Sequence, residues 1–188
     1  PDQMMPGSVF IHEIIKEIAV KTGLKVDTGG GIRKAMRLFG NDLPVLVHNV
    51  DIFSSTDLRN LYEEHLKSGA DSTLLVADRS TSRYLYFDSD NMLCGWSNEK
   101  TGQVRSPYPG FDKTRFTPYA FQGIHVLSPT MLPFLDEISE QRFSITDFYV
   151  DNAARLRLRS VVSDATEWVD AGKPDALSCA AQIIRKHY

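Results

Sequence analysis

The chain has 188 residues, 42% hydrophobic and 24% charged, with a formal net charge of −3, the balance of a globular domain with one sizeable core. Its basic clusters (Arg33-Lys34, Arg155 to Arg159, Arg185-Lys186) are short and dispersed and give no face that would neutralise a phosphate backbone, so nucleic acid is not expected as a partner. Cys94 and Cys179 sit in apolar settings without a CxxC or Cys/His cluster, which argues against a disulfide framework or zinc site and for a reduced, cytoplasmic chain.

The opening Pro-Asp-Gln-Met-Met-Pro-Gly lacks the basic-then-apolar order of a signal peptide. No apolar run approaches the ~20 residues of a membrane span. Pro1 is not an initiator methionine, and the chain is expected to start inside a larger protein. Ile11, Ile14, Ile15 and Ile18 then repeat at helical spacing, as do Ile32, Ala35, Met36 and Phe39. Val45-Leu46-Val47 reads as a strand, and Leu58, Leu61, Tyr62 and Leu66 give a further helical stripe. Strands are expected at Ser72 to Ala77 and Tyr84 to Phe87. Residues 97–118, polar and holding Pro107, Pro109 and Gly110, read as a long surface loop.

Further on, Tyr119 to Leu127 and Leu156 to Val162 are expected strands. Between them a helix over 144–154 is marked by the capping-box spacing of Ser144 and Asp147. Leu177, Ala180, Ala181 and Ile184 give a last stripe, with Pro174 at its start. Continuous apolar strands suit buried parallel pairing. The alternation of helix and strand over the first eighty or so residues predicts an α/β layered sheet, turning β-rich in the middle.

Three constellations could carry chemistry. In Asp27-Thr28-Gly29-Gly30-Gly31, just ahead of the helix expected from Ile32, glycines let a backbone pass close to a ligand and helix-start N–H groups attract anions. It is neither a P-loop nor GxGxxG, and a flexible turn is the alternative. In Pro44-Val-Leu-Val-His-Asn-Val-Asp51 an apolar strand ends in Asn49 and Asp51, the end at which open α/β sheets bind ligands. A carboxylate there suits Mg2+ shared with substrate phosphates; the alternative is an Asp that caps the next turn. In Trp168-Val-Asp-Ala-Gly-Lys-Pro174 Asp170 ends a strand in the same way. Two such carboxylates could clamp one metal, or Asp170 could simply be exposed at a tight turn. His48 and His125 lie in apolar strand contexts, where a core or strand-end histidine is the better reading. His12-Glu13 is followed by Lys16 where a zinc protease helix needs histidine, and no G-x-S-x-G occurs.

Asp-Thr-Gly-Gly-Gly-Ile, His-Asn-Val-Asp, Phe121-Gln-Gly-Ile124 and Trp-Val-Asp-Ala-Gly-Lys-Pro occur in that order, and the chain resembles the sugar-phosphate nucleotidyltransferases over nearly its whole length. Mannose-1-phosphate guanylyltransferases and muramic-acid-1-phosphate uridylyltransferases are the most similar branch. The resemblance implies a Rossmann-like, mixed but mostly parallel sheet with helices on both faces, as one domain over 1–188. It implies a nucleoside triphosphate and a sugar 1-phosphate as substrates, a nucleotide-sugar and pyrophosphate as products, and Mg2+ as cofactor. Asp51 and Asp170 match the family's metal-binding aspartates. Thr28, Gly29, Gly30 and Gly31, with Asn49, match the nucleotide end, and Gly123 matches the strand glycine of the sugar pocket. Asn98 is a weaker candidate for a sugar contact, since many relatives carry Glu-Lys-Pro in this region and this chain does not.

The family also opens with a Gly-x-Gly-Thr-Arg turn and a Pro-Lys, neither of which is present; the domain is therefore expected to be incomplete at its front. Two other readings stay open: a metal-dependent glycosyltransferase of related fold, against which Asn49-Val50-Asp51 in place of Asp-x-Asp weighs, and a nucleotide-sugar-binding regulatory domain without turnover. Base, sugar and oligomeric state have no signature in the residues.

Overall fold

The computed structural model describes residues 27–39, 42–165, 167–172 and 176. The helices expected through Ile11 to Ile18 and through Leu177 to Ile184 lie outside the described residues, as do Lys173, Pro174 and Cys179. In chain order the elements are α1 (Thr28–Met36), β1 (Val45–His48), β2 (Ile52–Ser54), α2 (Leu58–Ser68), β3 (Ser72–Ala77), β4 (Arg83–Phe87), β5 (Leu93–Asn98), β6 (Gln103–Arg105), a 3-10 turn (Lys113–Arg115), β7 (Thr117–Leu127), α3 (Met131–Asp136), α4 (Ile145–Asn152), β8 (Leu158–Val162) and β9 (Trp168–Asp170).

β7 organises the sheet. Its last four residues pair with β1 (Val45 opposite Leu127, His48 opposite Ile124) and, on the other edge, with β3 (Ser72 opposite Leu127, Leu74 opposite His125). β8 joins β3 in parallel. β1, β3 and β8 therefore run the same way, as expected for buried α/β strands, while β7 runs against them. The start of β7 (Thr117 to Tyr119) instead pairs with β4, which continues into the antiparallel β4–β5–β6 ladder. The loop expected over 97–118 is thus part hairpin: Asn98 opposite Gln103 closes β5 on β6.

The period of two along each strand divides the core between the two faces. Val45, Val47, Leu74 and Val76 pack with Ile32 of α1, Met131 of α3 and Phe148 of α4. Leu46, Leu75, Ile124 and Val126 pack with Leu61 of α2. Leu74 and Leu75 are wholly buried on opposite faces, and each contributes about 1.5–3 kcal/mol by leaving water. Helices thus cover both faces of a mixed α/β sheet. Among the described residues no helix is long and apolar enough to cross a membrane.

Buried polar groups on this frame are largely bonded to one another. His65 bridges Thr73 Oγ1 at 2.8 Å and Ser128 Oγ at 2.9 Å. His125 Nδ1 lies 2.6 Å from the Tyr149 hydroxyl, which accepts from Ser72 Oγ at 3.1 Å. Burial pulls His65 down to about 4 and His125 to about 3, away from the ordinary histidine range. Burial pushes the Tyr149 phenol up. These side chains are neutral core groups, as the sequence context of His125 suggested.

Candidate functional site

Asp51 and Asp170 meet through a pair of three-residue strands. β2 and β9 form their own antiparallel ribbon, with Ile52 opposite Asp170 and Ser54 opposite Trp168. The Asp51 carbonyl accepts from Ala171 N at 2.7 Å. The two carboxylates then converge on Gly172: a Cβ there would lie 2.8 Å from Asp51 Oδ2 and 3.2 Å from Asp170 Oδ1. Only a glycine leaves that space open. Asp170 Oδ1 also accepts from Gly172 N at 3.2 Å. Among the described residues the Asp51 side chain caps no backbone N–H, which weakens its reading as a turn cap.

Beside this pair opens a cleft of about 780 Å³ whose walls include Asn49, Gly123, Asn98, Asp170, Arg79 and Gln122. Its floor is β7 at the point where strand pairing changes hands. Gly123 has φ +75, a conformation that favours glycine. Its carbonyl accepts from Asn49 N at 3.0 Å, and a Cβ on it would reach 2.8 Å from Asn49 Nδ2. Gly123 therefore sets the position of the Asn49 amide. Asn98, at the end of β5, accepts through Oδ1 from Lys100 N at 3.0 Å and lies across the cleft's hairpin wall. Asp51 is not itself in the cleft lining; it reaches the site through Asp170 and Gly172.

The glycine segment differs from the expected turn. Thr28 to Gly31 form the first turn of α1, and the three glycines are buried. Asp27 is the N-cap, accepting from Thr28 N at 2.7 Å through Oδ1 and from Gly31 N through its carbonyl at 2.9 Å. Gly29 N donates to Phe143 O at 2.9 Å, and a Cβ at Gly29 would collide with the Phe143 ring at 2.3 Å. The N–H groups of Thr28, Gly29 and Gly31 are thus engaged, and it is Asp27 that lines the cleft. The correction has a packing cause: the ring and carbonyl of Phe143 require bare backbone in the helix's first turn.

Several cleft residues carried no motif. Arg79, in the connection between β3 and β4, and Arg83, the first residue of β4, line it, and neither forms an ion pair among the described residues. The Arg79 guanidinium lies 3.9 Å from the centre of the Trp168 ring and donates to Phe121 O at 3.4 Å. Burial lowers the pKa of Arg79, opposed by the nearby charge of Asp170. Arg105, by contrast, is held by Asp147 at 2.5 Å and Asp151 at 2.7 Å. The strand-end rule that singled out Asp51, applied to the end of β3, would have found Asp78-Arg79.

His48 ends β1 with Nδ1 2.8 Å from the Asn49 carbonyl. Burial lowers its pKa against the opposing pull of that carbonyl and of Asp51. Among the described residues no group of three or more His, Cys, Asp or Glu side chains could hold a metal by itself.

No protein-family model and no curated protein sequence matches the chain. Solved structures do match in fold. HddC from Yersinia pseudotuberculosis, solved in complex with GMP-PN, superposes with a TM-score of 0.60 at 17% identity over 94% of this chain and 76% of its own. A Bacillus anthracis protein assigned as a glucose-1-phosphate thymidylyltransferase, solved with a sucrose, gives 0.66 at 18% over 85% of this chain and 61% of its own. A UDP-glucose pyrophosphorylase complexed with UDP-glucose gives 0.61 at 15% over 87% and 63%. The chain thus spans less than two thirds of the latter two. The architecture described above is the nucleotide-diphospho-sugar transferase fold, a mixed α/β sheet with helices on both faces.

Proposed function

We propose that this chain belongs to a sugar-1-phosphate nucleotidyltransferase, which joins a nucleoside triphosphate to a sugar 1-phosphate and releases pyrophosphate. The observation that supports it most is the convergence of Asp51 and Asp170 on the open space at Gly172, at the edge of a cleft lined by Arg79 and Arg83, which form no ion pair among the described residues. Two carboxylates fit Mg2+, which is bound through one or two carboxylates together with substrate phosphates. The chemistry such an ion supplies when bound is neutralisation of charge on the triphosphate.

The chain's own residues bind and orient. A phosphate oxygen of the sugar 1-phosphate attacks the α-phosphorus, the bond to the bridging oxygen of the β-phosphate breaks, and pyrophosphate leaves with that electron pair. No covalent intermediate on the protein is needed, so the protein's task is alignment and charge balance. Arg83, which lines the cleft, is the cation for the phosphates. The Thr28, Gly29, Gly30 and Gly31 turn at the start of α1 is assigned to the nucleotide through its N-cap Asp27, which lines the cleft with Asn49, and Gly123 and Asn98 are assigned to the sugar. In a reduced, cytoplasmic setting the buried Cys94 thiol, pushed up to about 11 mainly by burial, stays protonated and inert.

The test is pyrophosphate release by the full-length protein over a panel of triphosphates and sugar 1-phosphates, with Asp51→Asn and Asp170→Asn alongside. Loss of turnover in both variants supports the assignment. Unchanged turnover sinks the metal assignment, and release of a nucleoside diphosphate in place of pyrophosphate sinks the reaction.

A further inference from the structure

Three buried side-chain atoms lack any hydrogen-bond partner among the described residues, and two of them, Arg79 Nε and Gln122 Oε1, belong to residues lining the same cleft. Gln122 is only 3% exposed, so its carbonyl has given up water without replacement, a state that native proteins rarely tolerate away from a ligand. The surroundings hold both side chains in place. Arg79 stacks on Trp168 at 3.9 Å and donates to Phe121 O, while Trp168 Nε1 donates to the backbone carbonyl of Gln122 at 3.4 Å. One cross-linked group thus holds an unused donor and an unused acceptor on two side chains that line one cleft.

Their opposite polarity narrows the ligand. A phosphate oxygen could accept from Arg79 Nε but would be repelled by Gln122 Oε1, and an ammonium would face the reverse conflict. A hydroxyl both donates and accepts, and two hydroxyls on adjacent carbons could serve the two atoms together. We propose that Arg79 and Gln122 are a hydroxyl-reading pair that selects the sugar half of the nucleotide-sugar. The inference rests on the reading above for the identity of the ligand. The sugar is favoured over the ribose because Gln122 adjoins Gly123, the residue assigned to the sugar pocket.

The experiment measures dissociation constants by titration calorimetry on the full-length protein. The probes are UDP-glucose and GDP-mannose, their single-deoxy sugar analogues, UDP and GDP alone, and the 2′-deoxyribose forms. The variants are Gln122→Met, of similar shape without the carbonyl, and Arg79→Lys, which keeps the charge without the guanidinium. Each variant is expected to weaken the tighter nucleotide-sugar about ten- to hundredfold and to leave UDP and GDP unchanged. One deoxy-sugar should show the same loss with the unaltered protein and no further loss with Gln122→Met.

Because removing an orphaned polar atom does not harm the fold, the melting temperature of Gln122→Met should be equal or higher, which a structural role would not allow. Unchanged affinities would mean that ordered water alone serves these atoms, and equal loss for UDP and GDP would mean a role in the fold or the nucleotide; either overturns the pair. If the loss vanishes only on 2′-deoxyribose probes, the sugar assignment falls. A protein with the expected binding pattern that releases no pyrophosphate keeps this inference and loses the reaction, and the opposite result loses only the inference.

Discussion

At His125 the polar groups of β7 are closed on themselves: imidazole, Tyr149 phenol and Ser72 hydroxyl bond in series beneath the sheet. At Gln122, on the same strand, the side-chain carbonyl is equally buried and bonded to nothing among the described residues. Both would look alike in a burial profile. The difference is that a closed network spends its hydrogen bonds on the fold, whereas an open one on a cleft wall keeps them for a ligand. Substitutions in the closed network should therefore cost stability, and substitutions around the cleft should cost binding or turnover.

The largest expected effect sharpens the cleft side. Asp51→Asn or Asp170→Asn should lower pyrophosphate release about 10²- to 10³-fold, the scale of several kcal/mol of lost charge stabilisation, with an unchanged melting temperature. Next, Gly172→Ala would place a methyl 2.8 Å from Asp51 Oδ2. It should weaken Mg2+ affinity about tenfold, within the range of displaced metal-site geometry, as read by metal titration of activity. Normal Mg2+ dependence in that variant would show that the two carboxylates do not share an ion.

On the closed side, Tyr149→Phe leaves His125 Nδ1 without its partner and should cost about 1–3 kcal/mol in urea unfolding. A variant that unfolds normally but loses turnover would break the comparison. A smaller, pH-dependent effect comes from His125. It is neutral when folded, since burial lowers it to about 3, and charged when unfolded below its ordinary 6.5. The unfolded state then binds more protons, so stability falls as pH drops from 6.5 toward 3, by at most about 1.4 kcal/mol per pH unit for this one group. His125→Gln should flatten that slope, and an unchanged slope would place the proton elsewhere. The smallest effect is at the surface, where Glu137→Gln breaks the exposed double contact with Arg155 at 2.8 and 2.9 Å and should leave the melting temperature unchanged.

By itself the sequence determined the longer buried strands and three of the helices, because apolar periodicity is a local signal: Ser72 to Ala77, Tyr119 to Leu127 and the stripe through Leu61 are where spacing placed them, whereas the strands at Leu93–Asn98 and Gln103–Arg105 and the short helix at Met131–Asp136 are not read from it. It also put Asp51 and Asp170 at strand ends. Tertiary structure alone decided the rest. The β2–β9 ribbon is two strands of three residues, too short for a pattern, yet it is what brings those carboxylates to Gly172. The start of α1 moved forward to Thr28 because of Phe143, a contact between residues far apart in the chain. Whether a polar side chain is closed, as at His125, or left open, as at Gln122, depends on partners from other strands and helices, and no local stretch of sequence carries that information.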